Sequence, residues 1–298
     1  MSTEPFRAFL DRDLSKALGR EIIDIASPLL KELVNHATNV LVRCDQSSNG
    51  GIDEDLAPFT LYHHIIEQTD GIEVLITESC TAPAIPLLRS SFEALLYLEY
   101  IFEDDREYVQ RSLSWLLGHI HERLNFYDRL DPSTPKGMEF KKNFDVDIIA
   151  KNMELPSIDD VRARKSALEE MLSKPHIQPI EAEYQKFKNM PHWYQLFGGP
   201  NDLRTLAICI KRGAEYDLLY RHWSKFTHAQ DLISFVQKSG KVKMLRDPNE
   251  IKEITTSALS FILCSTQLMI GKYRGGENIQ VWYEREIIPL FQQLCKIS

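Results

Sequence analysis

Apolar residues recur at intervals of three and four along most of the chain, which is the spacing of one face of an α-helix. A first stripe between Asp13 and Cys44 contains Leu18, Ile22, Ile25, Leu29, Leu33 and Val40. The strongest stripe follows Pro83 and Pro86, which suit the first turn of a helix, and contains Ile85, Leu88, Phe92, Leu95, Leu96, Leu98 and Phe102. We expect the helix that carries this strongest stripe to lie in the core, because its apolar face is unusually wide.

Similar stripes alternate with turn residues through the rest of the chain. They predict helices that begin after Asp53 and that cover Arg106 to Leu130, Ala214 to Val236, Asn249 to Tyr273 and Glu277 to Lys296. Prolines, a glycine and lysines in residues 131–147 predict an exposed connection instead. The sequence therefore predicts an all-α, multi-helix bundle, with residues 1–298 forming a single domain and residues 131–200 forming a partly irregular insertion.

The composition permits a large core and disfavours a broad nucleic-acid surface. Hydrophobic residues make up 43% of the 298 residues, which is enough for a folded domain of this length. Lysine and arginine number 35 against 43 aspartates and glutamates, which gives a net charge of −8. Surfaces that bind nucleic acids are usually basic, so we expect no DNA partner and only a local contact with RNA.

Location follows from the apolar segments. The first twenty residues carry many charges and lack the apolar centre of a secretory signal. The longest apolar stretch, Ala258 to Ile270, falls short of the roughly 20 residues that a membrane span requires. We therefore expect a cytoplasmic protein with no membrane partner.

Motifs for metals and cofactors are missing from the sequence. The five cysteines are scattered without the paired spacing of zinc sites. No Glu-x-x-His or His-Glu-x-x-His motif occurs, and neither does a phosphate-binding or dinucleotide-binding glycine loop. We expect neither a metal site nor a cofactor.

The most pointed chemical pattern lies near residue 220. Arg221 and His228 are seven residues apart, which is about two helical turns, so they share a stripe with Ser224 and Lys225. A guanidinium, a hydroxyl and an imidazole on one stripe can converge on one anion. This combination suits a phosphodiester.

These residues resemble the motif of the HEPN superfamily, whose ribonuclease members carry an arginine, a polar residue and a later histidine on one helix. Arg221, His222 and His228 match that motif. The resemblance implies a helical homodimer in which two motifs face each other and cleave RNA without a metal. In that scheme His228 assists attack by the ribose 2′-hydroxyl and Arg221 stabilises charge on the phosphate.

A second, broader resemblance is to an uncharacterised bacterial family, a domain of unknown function, that pairs an Arg-x3-Glu helix with a late Tyr-x3-Ser-x3-His helix. Arg89 and Glu93 match the first helix, and Tyr220, Ser224 and His228 match the second. The resemblance suggests that the two helices lie together. Two charges on an otherwise apolar helix need partners, and Tyr220 or His228 could serve.

His119 is a further candidate on the helix predicted from Arg106 to Leu130. It shares a face with Arg123 and could complete a site beside Glu93 and His228. A single helical histidine can equally be a hydrogen-bonded structural residue.

The sequence leaves three functions open. The first is a metal-independent endoribonuclease, such as a toxin or an abortive-infection defence protein. The second is a non-catalytic helical scaffold or regulatory partner, in which Arg89, Glu93, Tyr220 and His228 form a structural network. The third is a sensor whose cations hold a small anionic ligand.

Overall fold

The computed structural model describes residues 11–227 and 245–297. In chain order, the α-helices in these ranges are α1 Arg12–Ser47, α2 Ile52–Thr77, α3 Thr81–Phe102, α4 Tyr108–Leu130, α5 Pro135–Val146, α6 Ile158–Leu172, α7 Gln178–Tyr184, α8 Leu203–Cys209, α9 Gly213–Glu215, α10 Arg221–Thr227, α11 Ile251–Tyr273, α12 Gln280–Trp282 and α13 Ile288–Lys296. Within the same ranges no β-strand occurs. The predicted all-α fold class is therefore confirmed.

Two short π-helical turns interrupt the α-helical geometry. Residues Tyr216–Tyr220 join α9 to α10, and residues Tyr283–Ile287 join α12 to α13. The helix predicted over 214–236 thus contains a change of helical pitch, and its last residues, from 228 onward, lie outside the described part of the chain.

Packing divides the chain into two compact units. The first comprises Met1–Gly50, Pro58–Asp105 and Ala207–Ser298, and the second comprises Gly51–Ala57 and Arg106–Leu206. The segment 131–200, predicted as an insertion, falls within the second unit. The interpretation of the whole chain as a single domain stays a prediction.

The core of the first unit is built by α11, which packs against both α1 and α3. Leu29, Leu33, Phe92, Leu95 and Ile262 are each at most 2% exposed. Burial of one such side chain contributes roughly 1.5–3 kcal/mol. The apolar stripes seen in the sequence are therefore the surfaces that hold these three helices together.

One segment among the described residues, Pro248–Tyr273, is long and apolar enough to cross a membrane by length and composition. In the structure, 56% of its most apolar window is buried inside the protein. Buried core helices meet the same criterion, and Ala258, Phe261 and Met269 of this segment are buried.

The C-terminal segment of the first unit is attached to α1 by polar contacts. Arg43 Nη2 lies 2.5 Å from Glu277 Oε1. Trp282 donates its Nε1 hydrogen to Glu32 Oε1 at 2.7 Å, and its ring stacks on His36 with 3.6 Å between ring centroids. These contacts join residues more than 200 positions apart in the chain.

In the second unit α4 is the central helix and contacts α5, α6 and α7. Its apolar side buries Leu113, Leu116 and Leu117. Ion pairs add to this packing, since Lys165 Nζ lies 2.7 Å from Asp128 Oδ1 and Arg162 Nε lies 3.1 Å from Asp131 Oδ2.

The expectation of a non-helical connection at 131–147 was wrong in part. The segment is mostly exposed, but residues Pro135–Val146 form α5. Thr134 caps the helix, because its hydroxyl oxygen accepts a hydrogen bond from the Gly137 amide at 2.9 Å, and Pro135 occupies the first turn. A threonine before a proline is a helix-start signal that outweighs the nearby turn residues.

Replacing Gly137 with alanine is expected to destabilise the second unit. A Cβ atom there would lie 1.8 Å from the Asp131 carbonyl oxygen, so the backbone must shift. We expect a loss of about 2 kcal/mol, although alanine in an open helix would be more favourable than glycine by about 1 kcal/mol. Urea unfolding followed by circular dichroism measures the change.

Gly276→Ala is the matched control, since a Cβ at that glycine meets no atom within 4 Å. A Gly137→Ala variant as stable as the wild type would contradict the packing described for Asp131 and Gly137.

Candidate functional site

Polar residues form a stripe on one side of α3. Arg89, Glu93 and Tyr97 follow one another at intervals of four, so they share a face, and each is half-buried. Phe92 and Leu95 of the same helix are fully buried. The position of the two charges is thus set by the same periodicity that buries the apolar residues.

Tyr220 connects both charges of this stripe to the segment that leads into α10. Arg89 Nη2 donates to the Tyr220 hydroxyl at 2.5 Å, and that hydroxyl donates to Glu93 Oε2 at 2.8 Å. Tyr97 donates to the other oxygen of Glu93 at 2.9 Å. The guanidinium also lies 4.6 Å from the centroid of the Tyr220 ring. Tyr220 is therefore the partner that the two charges on α3 require.

Aromatic packing fixes α10 beside α3. The ring of Phe92 lies 6.3 Å from that of Tyr220, 6.4 Å from that of Trp223 and 5.3 Å from that of Phe261, measured between centroids. Tyr220 and Trp223 are buried. Tilted and edge-on aromatic pairs at these distances add to the gain from burial, so this side of α10 is anchored.

Burial raises the pKa of Tyr220 above its ordinary value, and the neighbouring Glu93 carboxylate raises it further. The phenol therefore stays protonated at neutral pH. A protonated Tyr220 can donate to Glu93 while it accepts from Arg89, as the geometry shows.

A π-turn precedes the anchored helix. The Arg221 amide bonds to the Tyr216 carbonyl, five residues back, instead of to residue 217. Such turns often occur at functional sites. This turn ends at Tyr220, the residue that reaches Arg89 and Glu93.

The other side of α10 carries the residues that resemble the HEPN motif. Arg221, His222 and Lys225 are exposed, and Ser224 is half-buried beside them. Arg221 Nη1 lies 3.6 Å from Asp217 Oδ1 in an exposed ion pair. His228, the predicted base, lies outside the described residues.

The remaining histidine candidate belongs to the second unit. His119 Nδ1 lies 3.4 Å from Glu122 Oε2, and its ring lies 4.2 Å from that of Trp115. Burial lowers the pKa of His119. Its contacts are those of a structural histidine within α4.

Three polar residues near the Arg89–Glu93 pair were missing from the predicted site. His64 on α2 lies with Nε2 2.7 Å from Ser90 Oγ on α3, and Tyr97 donates to Glu93. The spacing of four between Glu93 and Tyr97 was visible in the sequence. The contact between His64 and Ser90 depends on how α2 and α3 are aligned, which no local pattern reveals.

Metal binding requires several suitable side chains at one place. Among the described residues, no group of three or more histidine, cysteine, aspartate or glutamate side chains is arranged to hold an ion.

Removing the Tyr220 hydroxyl is expected to weaken the first unit. Tyr220→Phe keeps the ring but leaves Arg89 and Glu93 without their shared partner, which should cost about 1–2 kcal/mol. Tyr283→Phe is the matched control, because Tyr283 also lies in a π-turn and its hydroxyl has no hydrogen-bond partner in the described ranges. Equal unfolding free energies for the two variants would contradict the role of the bridge.

The contribution of this bridge should depend on pH in the alkaline range. Folding raises the pKa of Tyr220, so the stabilisation is complete below the ordinary tyrosine pKa of about 10 and is lost as the pH rises above it. The difference in unfolding free energy between the wild type and Tyr220→Phe should therefore narrow from pH 8 toward pH 11. A difference that widens over this range would contradict the assignment.

Comparison with known proteins places the site within a described family. No curated protein and no solved structure matches the chain. A family model matches residues 55–242, which is more than half of the chain and includes Arg89, Glu93 and Tyr220. The chain therefore belongs to a family of unknown function, DUF5677.

Proposed function

We propose that the protein is a HEPN-like, metal-independent endoribonuclease whose reactive surface is the exposed side of α10. The observation that carries the proposal is the division of this helix into two sides. Tyr220 and Trp223 anchor one side, while Arg221 and Lys225 face solvent on the other. A cationic stripe on an anchored helix is suited to holding a phosphodiester in a fixed orientation.

Arg221 is available to a phosphate group. Its side chain is 63% exposed, and its ion pair with Asp217 spans 3.6 Å. Exposed pairs of this kind contribute about 0–1 kcal/mol, so a phosphate that offers two oxygens to the guanidinium can displace the carboxylate. Arg221 would then stabilise the negative charge that develops during cleavage.

The remaining steps fall to residues on the same stripe. Ser224 is half-buried and can donate its hydroxyl to a phosphate oxygen. His228 follows Ser224 by four residues in the sequence and would remove the proton from the ribose 2′-hydroxyl. His222, adjacent to Arg221, is exposed and completes the resemblance to the motif.

The overall charge requires that RNA binds through this local stripe. A net charge of −8 repels a polyanion at long range. Arg221 and Lys225 must therefore provide the attraction, and binding should weaken steeply with salt.

The biological setting is proposed from the resemblance. A HEPN-like enzyme would act in the cytoplasm as a homodimer that brings two stripes together, and it would serve as a toxin or a defence protein against phage. No step through a metal or a cofactor is needed in this proposal.

A non-catalytic scaffold or regulatory partner is the second candidate. Both oxygens of Glu93 accept hydrogen bonds from tyrosines of the same chain, Tyr97 and Tyr220. Arg89 donates a hydrogen bond to the hydroxyl of Tyr220. A network closed in this way fixes the alignment of helices without requiring a substrate. The third candidate, a sensor of a small anionic ligand, would use Arg221 and Lys225, the same exposed cations of α10 that are proposed to bind RNA.

Purified protein should cleave a mixed RNA pool in excess chelator and leave 2′,3′-cyclic phosphate ends. Arg221→Ala should lower the rate by about 10²–10³-fold, and His228→Ala by about 10²–10⁴-fold. Gel electrophoresis of the products and mass spectrometry of their ends measure both effects.

Arg285→Ala is the matched control, since Arg285 is also an exposed arginine in an ion pair, with Glu286. It should cleave at the wild-type rate. Circular dichroism must show that all variants are folded. Absence of cleavage by folded wild-type protein would overturn the ribonuclease proposal and favour the scaffold.

A further inference from the structure

The hydroxyl of Ser90 contacts a neighbouring helix and not the carbonyl four residues earlier in its own helix. Helical serines and threonines often donate to the carbonyl four residues earlier, as Ser47, Thr69 and Ser114 do here at 2.7–2.9 Å. Ser90 lies instead with Oγ 2.7 Å from Nε2 of His64, on the neighbouring helix α2. A hydroxyl at this distance from an imidazole has the geometry of a nucleophile and its general base.

The imidazole is in the charge state that a base needs. Burial lowers the pKa of His64 below its ordinary value of 6.5, while the charges of Glu67 and Glu93 act in the opposite direction and His63 lowers it. His64 is therefore neutral at pH 7. When it takes up a proton, the carboxylate of Glu93 stabilises the resulting cation.

Glu93 is held in place for this role. Tyr97 donates to one of its oxygens and Tyr220 to the other, at 2.9 and 2.8 Å. A carboxylate with both oxygens bound cannot turn away, so its field at His64 is fixed.

The cation nearest to Ser90 along α3 is Arg89. Arg89 precedes Ser90 on α3 and its side chain is 26% exposed. Its Nη2 gives a hydrogen bond to Tyr220 and lies 3.7 Å from Glu93 Oε2, and its Nε is buried without a hydrogen-bond partner among the described residues. Arginine has five N–H donors, so the terminal N–H groups that Tyr220 does not use remain for oxygen atoms of an anion.

Solvent reaches the group. His64, Ser90 and Glu93 are each half-buried, whereas Phe92 and Leu95 of α3 are fully buried. Nucleophile and base therefore lie together at a half-buried place in the first unit, and Arg89 and Glu93 lie within one turn of Ser90 on α3.

We infer that Ser90 is a nucleophile activated by His64 and that the pair attacks a phosphate ester bound beside Arg89. This inference concerns a site on α2 and α3 and goes beyond the ribonuclease activity proposed for α10.

The step balances within these residues and water. The Ser90 oxygen forms a bond to phosphorus as the bond between phosphorus and the alcohol oxygen breaks. The proton of Ser90 passes to His64 Nε2 and from there to the departing alkoxide. Water then attacks the phosphoserine and gives one proton to His64. The bond between phosphorus and the Ser90 oxygen breaks as phosphate leaves, and His64 returns the proton to that oxygen, which restores both residues.

A phosphate ester fits the site better than a carboxylic ester. Acyl transfer commonly uses backbone amides to bind the oxyanion. Ser90 lies in the interior of α3, where the amides bond to carbonyls of the previous turn. The stabilising group at this place is a guanidinium, which suits the oxygens of a phosphoryl group.

The test uses the full chain, p-nitrophenyl phosphate as substrate and a fluorophosphonate probe that reports nucleophilic serines. The probe loses fluoride when the serine oxygen bonds to phosphorus. We expect slow release of nitrophenolate and an adduct located on Ser90 by peptide mass spectrometry. Ser90→Ala should abolish both, and His64→Gln should slow both by about 10²-fold or more.

His63→Gln is the matched control, because His63 is the exposed neighbour of His64 and pairs with Glu67 at 3.6 Å. It should stay within twofold of the wild type. Circular dichroism must show that each variant keeps its fold.

Each outcome decides a part of the inference. No adduct on Ser90 in folded wild-type protein, or equal labelling in His64→Gln, would overturn the activated serine. An adduct without hydrolysis would overturn the phosphate ester as substrate. RNA cleavage is scored separately with Arg221→Ala, so failure of one proposal is distinguishable from failure of the other.

Discussion

The alignment of α3 with the segment that leads into α10 depends on one shared hydroxyl group, that of Tyr220. Arg89 and Glu93 lie on the helix that supplies Phe92 and Leu95 to the core, and two half-buried charges there need a partner that both can use. Tyr220 accepts from the cation and donates to the carboxylate. A phenol can do both at once while it is protonated, and burial raises the pKa of this one. The bridge ties the position of α10 to that of α3.

The Tyr220 bridge supports both proposed sites, the exposed side of α10 and the Ser90–His64 pair, although the two sites are proposed to catalyse different reactions. On α10 the bridge residue is the inward neighbour of Arg221, so it determines how the exposed stripe is presented. On α3 it holds Glu93, whose charge acts on His64. A change at Tyr220 therefore alters both surfaces, whereas changes at Arg221 or Ser90 affect one surface each.

The sequence predicted the fold class and the core helix because periodic apolar residues determine both. It also indicated that Arg89 and Glu93 need partners, because charges on an apolar helix are costly, and Tyr220 was one of the residues proposed. The hydrogen bond between His64 and Ser90 could not be predicted from the sequence, since such a contact depends on the alignment of two helices. The π-turn before Arg221 was equally hidden, because residues 216–220 carry no local signal for the change of pitch. Residues 135–146 show the opposite case, because Thr134 and Pro135 form a local helix-start signal that outweighs the neighbouring turn residues.

The first unit is assembled from three separate stretches of chain, and this order has a consequence for synthesis on the ribosome. Helix α3 emerges early, but Tyr220 follows more than 120 residues later and α11 later still. Contacts between such distant residues form slowly, because long loops must close first. A nascent chain that has reached α4 contains Arg89, Ser90 and Glu93. It does not yet contain Tyr220, which binds Arg89 and Glu93, or α11, which packs against α3. The hydrogen-bonded arrangement around Glu93 is therefore completed only when most of the chain has been synthesised.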